Sequence, residues 1–252
     1  MSTVVTDLYD AAILPARERF ASAPGVAALQ SPDLTPEFME SYLIQFSSLG
    51  VALTQPVEDW LRRAGDRCKA IGLDDIAKAF YTHVNQEKGH HLMMIADTHA
   101  LVARWNAHRR PRLDANELLD RPPTPGGRMY QQIHEDVNAS DAPFAQIAIE
   151  YEIEMLPVRY GQTMIDQCLR LLGPEVIECL SFLKSHIVLD VGHTEFNKRH
   201  LARLLESNPR YVDPLVRAGG AALEAYATFI ADCVQLAGEQ CEVEESKAVA
   251  AG

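Results

Sequence analysis

The chain has 252 residues, 47% hydrophobic and 23% charged, with a formal net charge of −12. That length is enough for one well-buried core, and the charge content is ordinary for a globular domain. The acidic balance repels phosphate backbones and argues against a nucleic-acid partner, and no uninterrupted apolar run of about 18 residues is present to span a membrane.

The opening MSTVVTDLYDAAILP carries Asp7 before any apolar run and lacks a basic cluster, so it does not read as a signal peptide. Cys68, Cys168, Cys179, Cys233 and Cys241 are odd in number and lack Cys-x-x-Cys spacing, which fits free thiols in a reducing cytoplasm rather than a zinc site. Strand signals are nearly absent. A short helix is expected over residues 5–23. Thr35 as N-cap and Pro36 at the first helical position open the next helix, which Pro56 kinks or divides. A further helix is expected to start near Asp74 and run on through NQEKGHHLMMIADTHALVARWNAH. Residues 109–128, rich in Pro and Gly, read as a long connection that could act as a lid. A short helix follows over 129–137, then long helices over 142–172, 174–205 and 212–237. The sum is one all-α domain of about seven helices over residues 1–240, with a charged tail at 241–252 expected to be disordered.

The strongest chemical feature is SHIVLDVGHTEF, which spaces His186, Asp190 and His193 by four and three. At about 100° per residue these side chains fall within an arc of roughly 60° on one helix. Apolar Ile187, Val188 and Leu189 suggest that this helix is buried on several sides. A buried carboxylate between two imidazoles needs compensation, and a divalent or trivalent cation supplies it. A solvated polar stripe, or core histidines bonded to Asp190, would give the same pattern. In NQEKGHHLMM, Glu87 and His90 are three apart and share a helix face, with His91 at its edge. Glu-x-x-His recurs in carboxylate-bridged metal pairs, although it also arises by chance on exposed helices. In IAIEYEIEMLP, Glu150 and Glu154 share a face while Glu152 points nearly opposite and reads as a surface residue. Glu87, His90, one of Glu150 and Glu154, His186, Asp190 and His193 together make a mixed oxygen and nitrogen set, which suits iron or manganese better than zinc, copper or calcium.

Glu-x-x-His, then a lone Glu, then His-x-x-x-Asp-x-x-His resembles the haem-oxygenase-like diiron oxidases in order and approximate gaps over residues 80–200. The resemblance implies a haem-oxygenase-like helical bundle holding two iron ions that use dioxygen. It implies Glu87, His90, Glu154, His186, Asp190 and His193 as metal ligands and catalytic residues. Glu154 is favoured over Glu150 because Tyr151 precedes it by three, as an aromatic residue often does in relatives. His91 beside His90, and a long gap before Glu154, depart from the family pattern. The implied reactions are N-oxygenation, oxidative decarboxylation or C–C cleavage of a small amino-acid-derived substrate in specialised metabolism, with a fatty acid as the alternative substrate. A homodimer is common for such bundles.

Neighbouring residues carry plainer readings. His83 and Asp97 lie near the ligand stripe, either as orienting partners or as surface polarity. His200 is expected to be exposed beside Lys198 and Arg199. Arg159 and Tyr160 suit either a substrate carboxylate or a surface ion pair. Met93, Met94 and Met155 suit core packing, and Arg109, Arg110 and Arg112 a solvated basic cluster. Three competing functions remain: a ferritin-like diiron bundle, in which His186 would be surplus; a thiaminase-type hydrolase needing a nucleophilic cysteine; and a non-enzymatic helical binding protein.

Overall fold

The structure is a computed structural model that describes residues 3–251, with side chains described for 3–242. It is all-α. A π-helical turn Val5–Asp10 leads into α1 (Ala11–Ala21), followed by α2 (Pro24–Ala28), α3 (Pro36–Thr54), α4 (Val57–Ala70), α5 (Asp74–Glu87) and α6 (His90–His108). The second half holds α7 (Ala115–Leu119), α8 (Pro125–Ala139), α9 (Gln146–Leu156), α10 (Gln162–Leu172), α11 (Ser181–Ser207) and α12 (Val212–Ala251). A π turn at Pro157–Gly161 joins α9 to α10.

Local chemistry explains most of the boundaries. The Thr35 hydroxyl accepts from the Phe38 N–H and caps α3, with Pro36 in the first turn, as its sequence predicts. Thr124 and Pro125 do the same for α8. Pro56 separates α3 from α4. The expected single helix from Asp74 to His108 is instead two. Gly89 adopts a left-handed conformation at φ +81°, which ends α5 and starts α6 between Glu87 and His90. Glu87 and His90 therefore come from the facing ends of two helices, not from one helical face.

The helix α12 packs against α1, α2, α3, α8 and α9 and forms the spine of the bundle. The core around it includes Tyr9, Ile13, Ile44 and Ile147, together with Phe229 of α12 itself. The helix α9 is enclosed, with eight of its eleven residues buried. Its three glutamates therefore all need partners. Glu152, expected at the surface, is 1% exposed. The Arg17 guanidinium donates to its two oxygens at 2.9 and 2.7 Å, which compensates the charge.

The 109–128 segment holds α7 and lines neither of the cavities described below. It is tied to the outer side of α3 and α6 through Arg121 to Gln45 and Ser48, and through Trp105 to the Pro111 carbonyl. In the basic cluster, Arg109 pairs with Glu40. The outer face of α11 also departs from expectation. Val188, Leu189 and Val191 are exposed, Val188 at 73%, because none of the described residues packs over that face of the helix. The tail at 241–252, expected to be disordered, is described as the end of α12 as far as Ala251, and Gly252 lies outside the described residues. Among the described residues, no helix is long and apolar enough to cross a membrane.

Candidate metal centre

Four helices converge on a buried polar cluster: α5 brings His83 and Glu87, α6 His90, α9 Glu154, and α11 His186, Asp190 and His193. Two groups of donor atoms emerge. His83, Glu87, Glu154 and His193 each place one donor within 4.8 Å of the others, and so do Glu87, His90 and His186.

Glu87 belongs to both groups, and its two oxygens divide between them. Oε1 lies 3.4 Å from His83 Nε2 and 3.5 Å from His193 Nδ1. Oε2 lies 2.9 Å from His90 Nδ1. The break at Gly89 permits this, because Glu87 sits at the free end of α5 and reaches both ways. In the first group, Glu154 Oε1 is 2.7 Å from His83 Nε2 and 3.5 Å from His193 Nδ1. Asn197 donates to Glu154 Oε2 at 2.6 Å and fixes the carboxylate. In the second, His186 Nε2 stands 3.2 Å from His90 Nδ1.

The tautomer of His186 follows from its neighbours. Its Nδ1–H donates to the Phe182 carbonyl at 2.7 Å, which leaves the Nε2 lone pair facing His90 and Glu87. Phe182 also packs its ring on the imidazole at a centroid distance of 3.8 Å. The start of α11 is held in turn by Asp97. That buried carboxylate accepts from the Ser181 N–H at 2.8 Å, the Ser181 hydroxyl at 2.7 Å and the Phe182 N–H at 2.9 Å. Asp97 thus caps a helix on which three of the clustered side chains stand.

Electrostatics within the cluster are strained. Burial disfavours charge on Glu154 and Asp190 and raises both carboxyls, with the Glu87 carboxylate adding to each. Burial likewise acts on Glu87, but hydrogen bonds from His83 and His90 overcome it and hold Glu87 well below the usual range. Burial pulls His83 down, yet Glu154 and Glu87 outweigh it and hold the imidazole well above its ordinary value. Burial lowers His186, while the adjacent Asp190 carboxylate raises His193. His193 Nδ1 and Asp190 Oδ1 are 3.2 Å apart, yet each is buried without a hydrogen bond. Crowded carboxylates, a bare imidazole nitrogen and orphaned buried donor atoms are what a bound cation would resolve. The 3.2 Å between the His186 and His90 nitrogens also fits. Two ligands each ~2.1 Å from one ion and at right angles are about 3 Å apart.

All six residues singled out in the sequence meet here, with Asp190 at the edge beside His193 rather than within either donor group. His91 is half-buried and joins neither group. Glu150 stays outside both. Burial, aided by Glu154 and Glu87 and partly offset by His83, pushes it up to about 8. It accepts from Gln146, whose amide also meets His134. From the sequence His83 is expected as an orienting partner or a surface residue, whereas it sits inside the first group. Its signal was available: it lies four residues before Glu87, on the same face of α5. His200, expected to be exposed, is buried and touches Phe196 edge-on. Arg159 is exposed, while Tyr160 lines an apolar cavity.

No family model matches this sequence, and no curated protein matches it. In fold the chain is similar to the crystal structure of a domain of unknown function with a heme oxygenase-like fold from Shewanella denitrificans OS217. The two share 16% identity, the match covers 92% of each chain, and the TM-score is 0.70. The likeness establishes the haem-oxygenase-like fold.

Proposed function

We propose that the chain is a non-haem diiron oxidase or oxygenase that uses dioxygen to oxidise a small organic molecule. The observation that carries this reading is the division of the Glu87 oxygens between two donor groups, the arrangement expected of a carboxylate shared by two cations. The first position would be held by His83, Glu87, Glu154 and His193, and the second by Glu87, His90 and His186, with Asp190 at hand. Oxygen and nitrogen donors without thiolate suit iron or manganese. A pair of ferrous ions held there would supply the electrons that make dioxygen an oxidant.

The protein's own groups prepare the site. Phe182 fixes the His186 tautomer, and Asn197 fixes Glu154. Tyr130, Tyr226 and Phe229 wall a cavity of about 80 Å³ against Glu87, Glu154, His186 and Asp190, where they exclude bulk water. N-oxygenation, oxidative decarboxylation and C–C cleavage are all compatible with such a site. An amino-acid-derived acid and a fatty acid remain the substrate classes that the family resemblance suggests.

A thiaminase-type reaction finds no support. Burial pushes Cys68 and Cys168 up to about 12 and raises Cys179 and Cys233, and no cysteine lines either cavity among the described residues.

The test is anaerobic ferrous loading, removal of excess metal and iron counting, followed by oxygen uptake. Two irons per chain are expected. Glu87→Ala should lose both, while His193→Ala and His90→Ala should each lose one, and Asp190→Ala should bind less iron and consume no oxygen. Helicity should be unchanged throughout. A parent protein that retains no iron would refute the assignment and leave a non-enzymatic helical protein as the better reading.

A further inference from the structure

Beside the donor cluster lies a second cavity of about 150 Å³, bounded by α2, α3, the π turn, α10, the start of α11 and α12. Its walls are aromatic and aliphatic, with Tyr42, Phe46, Met164 and Leu183 among them. Among the described residues, no Lys or Arg lines it and Asp97 is its one carboxylate, both oxygens of which are already engaged by Ser181 and Phe182. The smaller cavity is different in kind, with Glu87, Glu150, Glu154 and Asp190 in its walls. Pro157, Phe182, His186 and Tyr226 line both, so only side chains separate the apolar space from the acidic one.

Building on the function proposed above, we infer that the substrate has an uncharged, apolar body of about six carbons and a single polar end. The body occupies the larger cavity, and the polar end passes His186 toward the smaller one. The size follows from volume, since an apolar cavity of ~150 Å³ takes a six-membered carbon ring. The charge follows from the walls. A charged group held against these apolar walls would lack a counter-ion, which is costly. This excludes molecules charged at both ends, such as lysine or arginine. A six-carbon carboxylic acid and an amino acid with an aliphatic side chain both satisfy the rule, because each keeps its charges at one end. The neutral rim residues Gln30, Thr163 and Gln167 and the buried Ser47 offer no ionic anchor either.

The test starts with the full chain free of metal, titrated calorimetrically with the straight-chain alcohols 1-butanol to 1-octanol. Affinity should rise about fourfold per methylene, equivalent to ~0.8 kcal/mol, until about six carbons and then level off. Ser47 is small, buried and on the wall, so Ser47→Phe should fill the space and abolish 1-hexanol binding. Thr163→Trp, at an exposed position on the rim, provides the same blockade should the first variant fail to fold. L-lysine should not displace 1-hexanol. A flat dependence on chain length, displacement by lysine, or full binding in a folded blocking variant would overturn the inference. On iron-loaded protein, hexanoate and L-norleucine then distinguish an acid from an amino acid, and whichever stimulates oxygen uptake names the polar end. Stimulation by L-lysine instead of either would overturn the inference. Because the alcohol series is read without iron, a failure to bind metal would count against the diiron assignment alone.

Discussion

Removing the carboxylate of Asp97 should damage both stability and metal binding, by different routes. Asp97→Ala deletes three hydrogen bonds at the start of α11 and strands two partly buried backbone N–H groups and a hydroxyl. Loss of an N-cap costs about 1 kcal/mol, and leaving partly buried donors unsatisfied adds 1 kcal/mol or more. A loss of about 2–3 kcal/mol is expected, which in a domain of this size lowers the melting temperature by roughly 5–10 °C. Asp97→Asn should retain much of this, because both Ser181 donors go to Oδ1 and only Phe182 depends on Oδ2. The second effect passes through Phe182, whose carbonyl accepts from His186. Loosening that turn should weaken metal at the His90–His186 position about 10- to 100-fold while sparing the other position, a magnitude usual for groups that orient a ligand. Thermal denaturation with cobalt(II) titration reads both quantities. If the alanine variant melts with the parent and takes up two cobalt ions with unchanged affinity, then Asp97 does not position the site and the reasoning is wrong.

Glu152→Ala should cost about 3–5 kcal/mol, because it leaves the largely buried Arg17 without its main partner; chemical denaturation of that variant against an Arg17→Met, Glu152→Leu double replacement, expected to recover most of the loss, checks this. Gly89→Ala should lose about 1–2 kcal/mol, because a side chain there must hold φ +81°, and an iron count on the folded variant reports whether Glu87 and His90 still meet. His134 is fully buried, and burial pushes it down to about 3. The unfolded chain protonates this group below its ordinary value near 6.5 while the folded protein does not, so folding stability should fall as pH drops from about 6 to 4, by at most ~1.4 kcal/mol per unit. His134→Asn should flatten that slope, and an unchanged slope in urea denaturation would show that His134 is not its source.

The sequence made some of this site readable and hid the rest for identifiable reasons. His186, Asp190 and His193 follow from helical arithmetic within one helix, and the structure keeps them on one buried face. The spacing of Glu87 and His90 predicts one shared face of a continuous helix, yet they meet because Gly89 breaks it. The glycine stood in the motif, but the spacing of three looked sufficient without it. Glu150 and Glu154 share a face, so local geometry could not choose between them; the choice lies in where α5 and α11 cross α9. Glu152 looked solvated because its partner, Arg17, is 135 residues away in sequence. The helical class was plain from the absence of strand signals. Turns such as Pro157–Gly161, which split the longer periodic runs, leave little trace in apolar spacing.

The exposed valines on the outside of α11 bear on how the bundle holds together. Between His186 and His193 this helix turns polar side chains inward and apolar ones outward, the reverse of an ordinary surface helix. Hydrophobic burial therefore fastens that stretch weakly, and mutual repulsion among the inward carboxylates works against it. Cations between α11 and its neighbours would act as rivets, replacing the grip that an oily seam normally gives. Amide hydrogens along this stretch should then exchange fast in stripped protein and slow sharply on metal addition, while the α12 spine stays protected in both conditions.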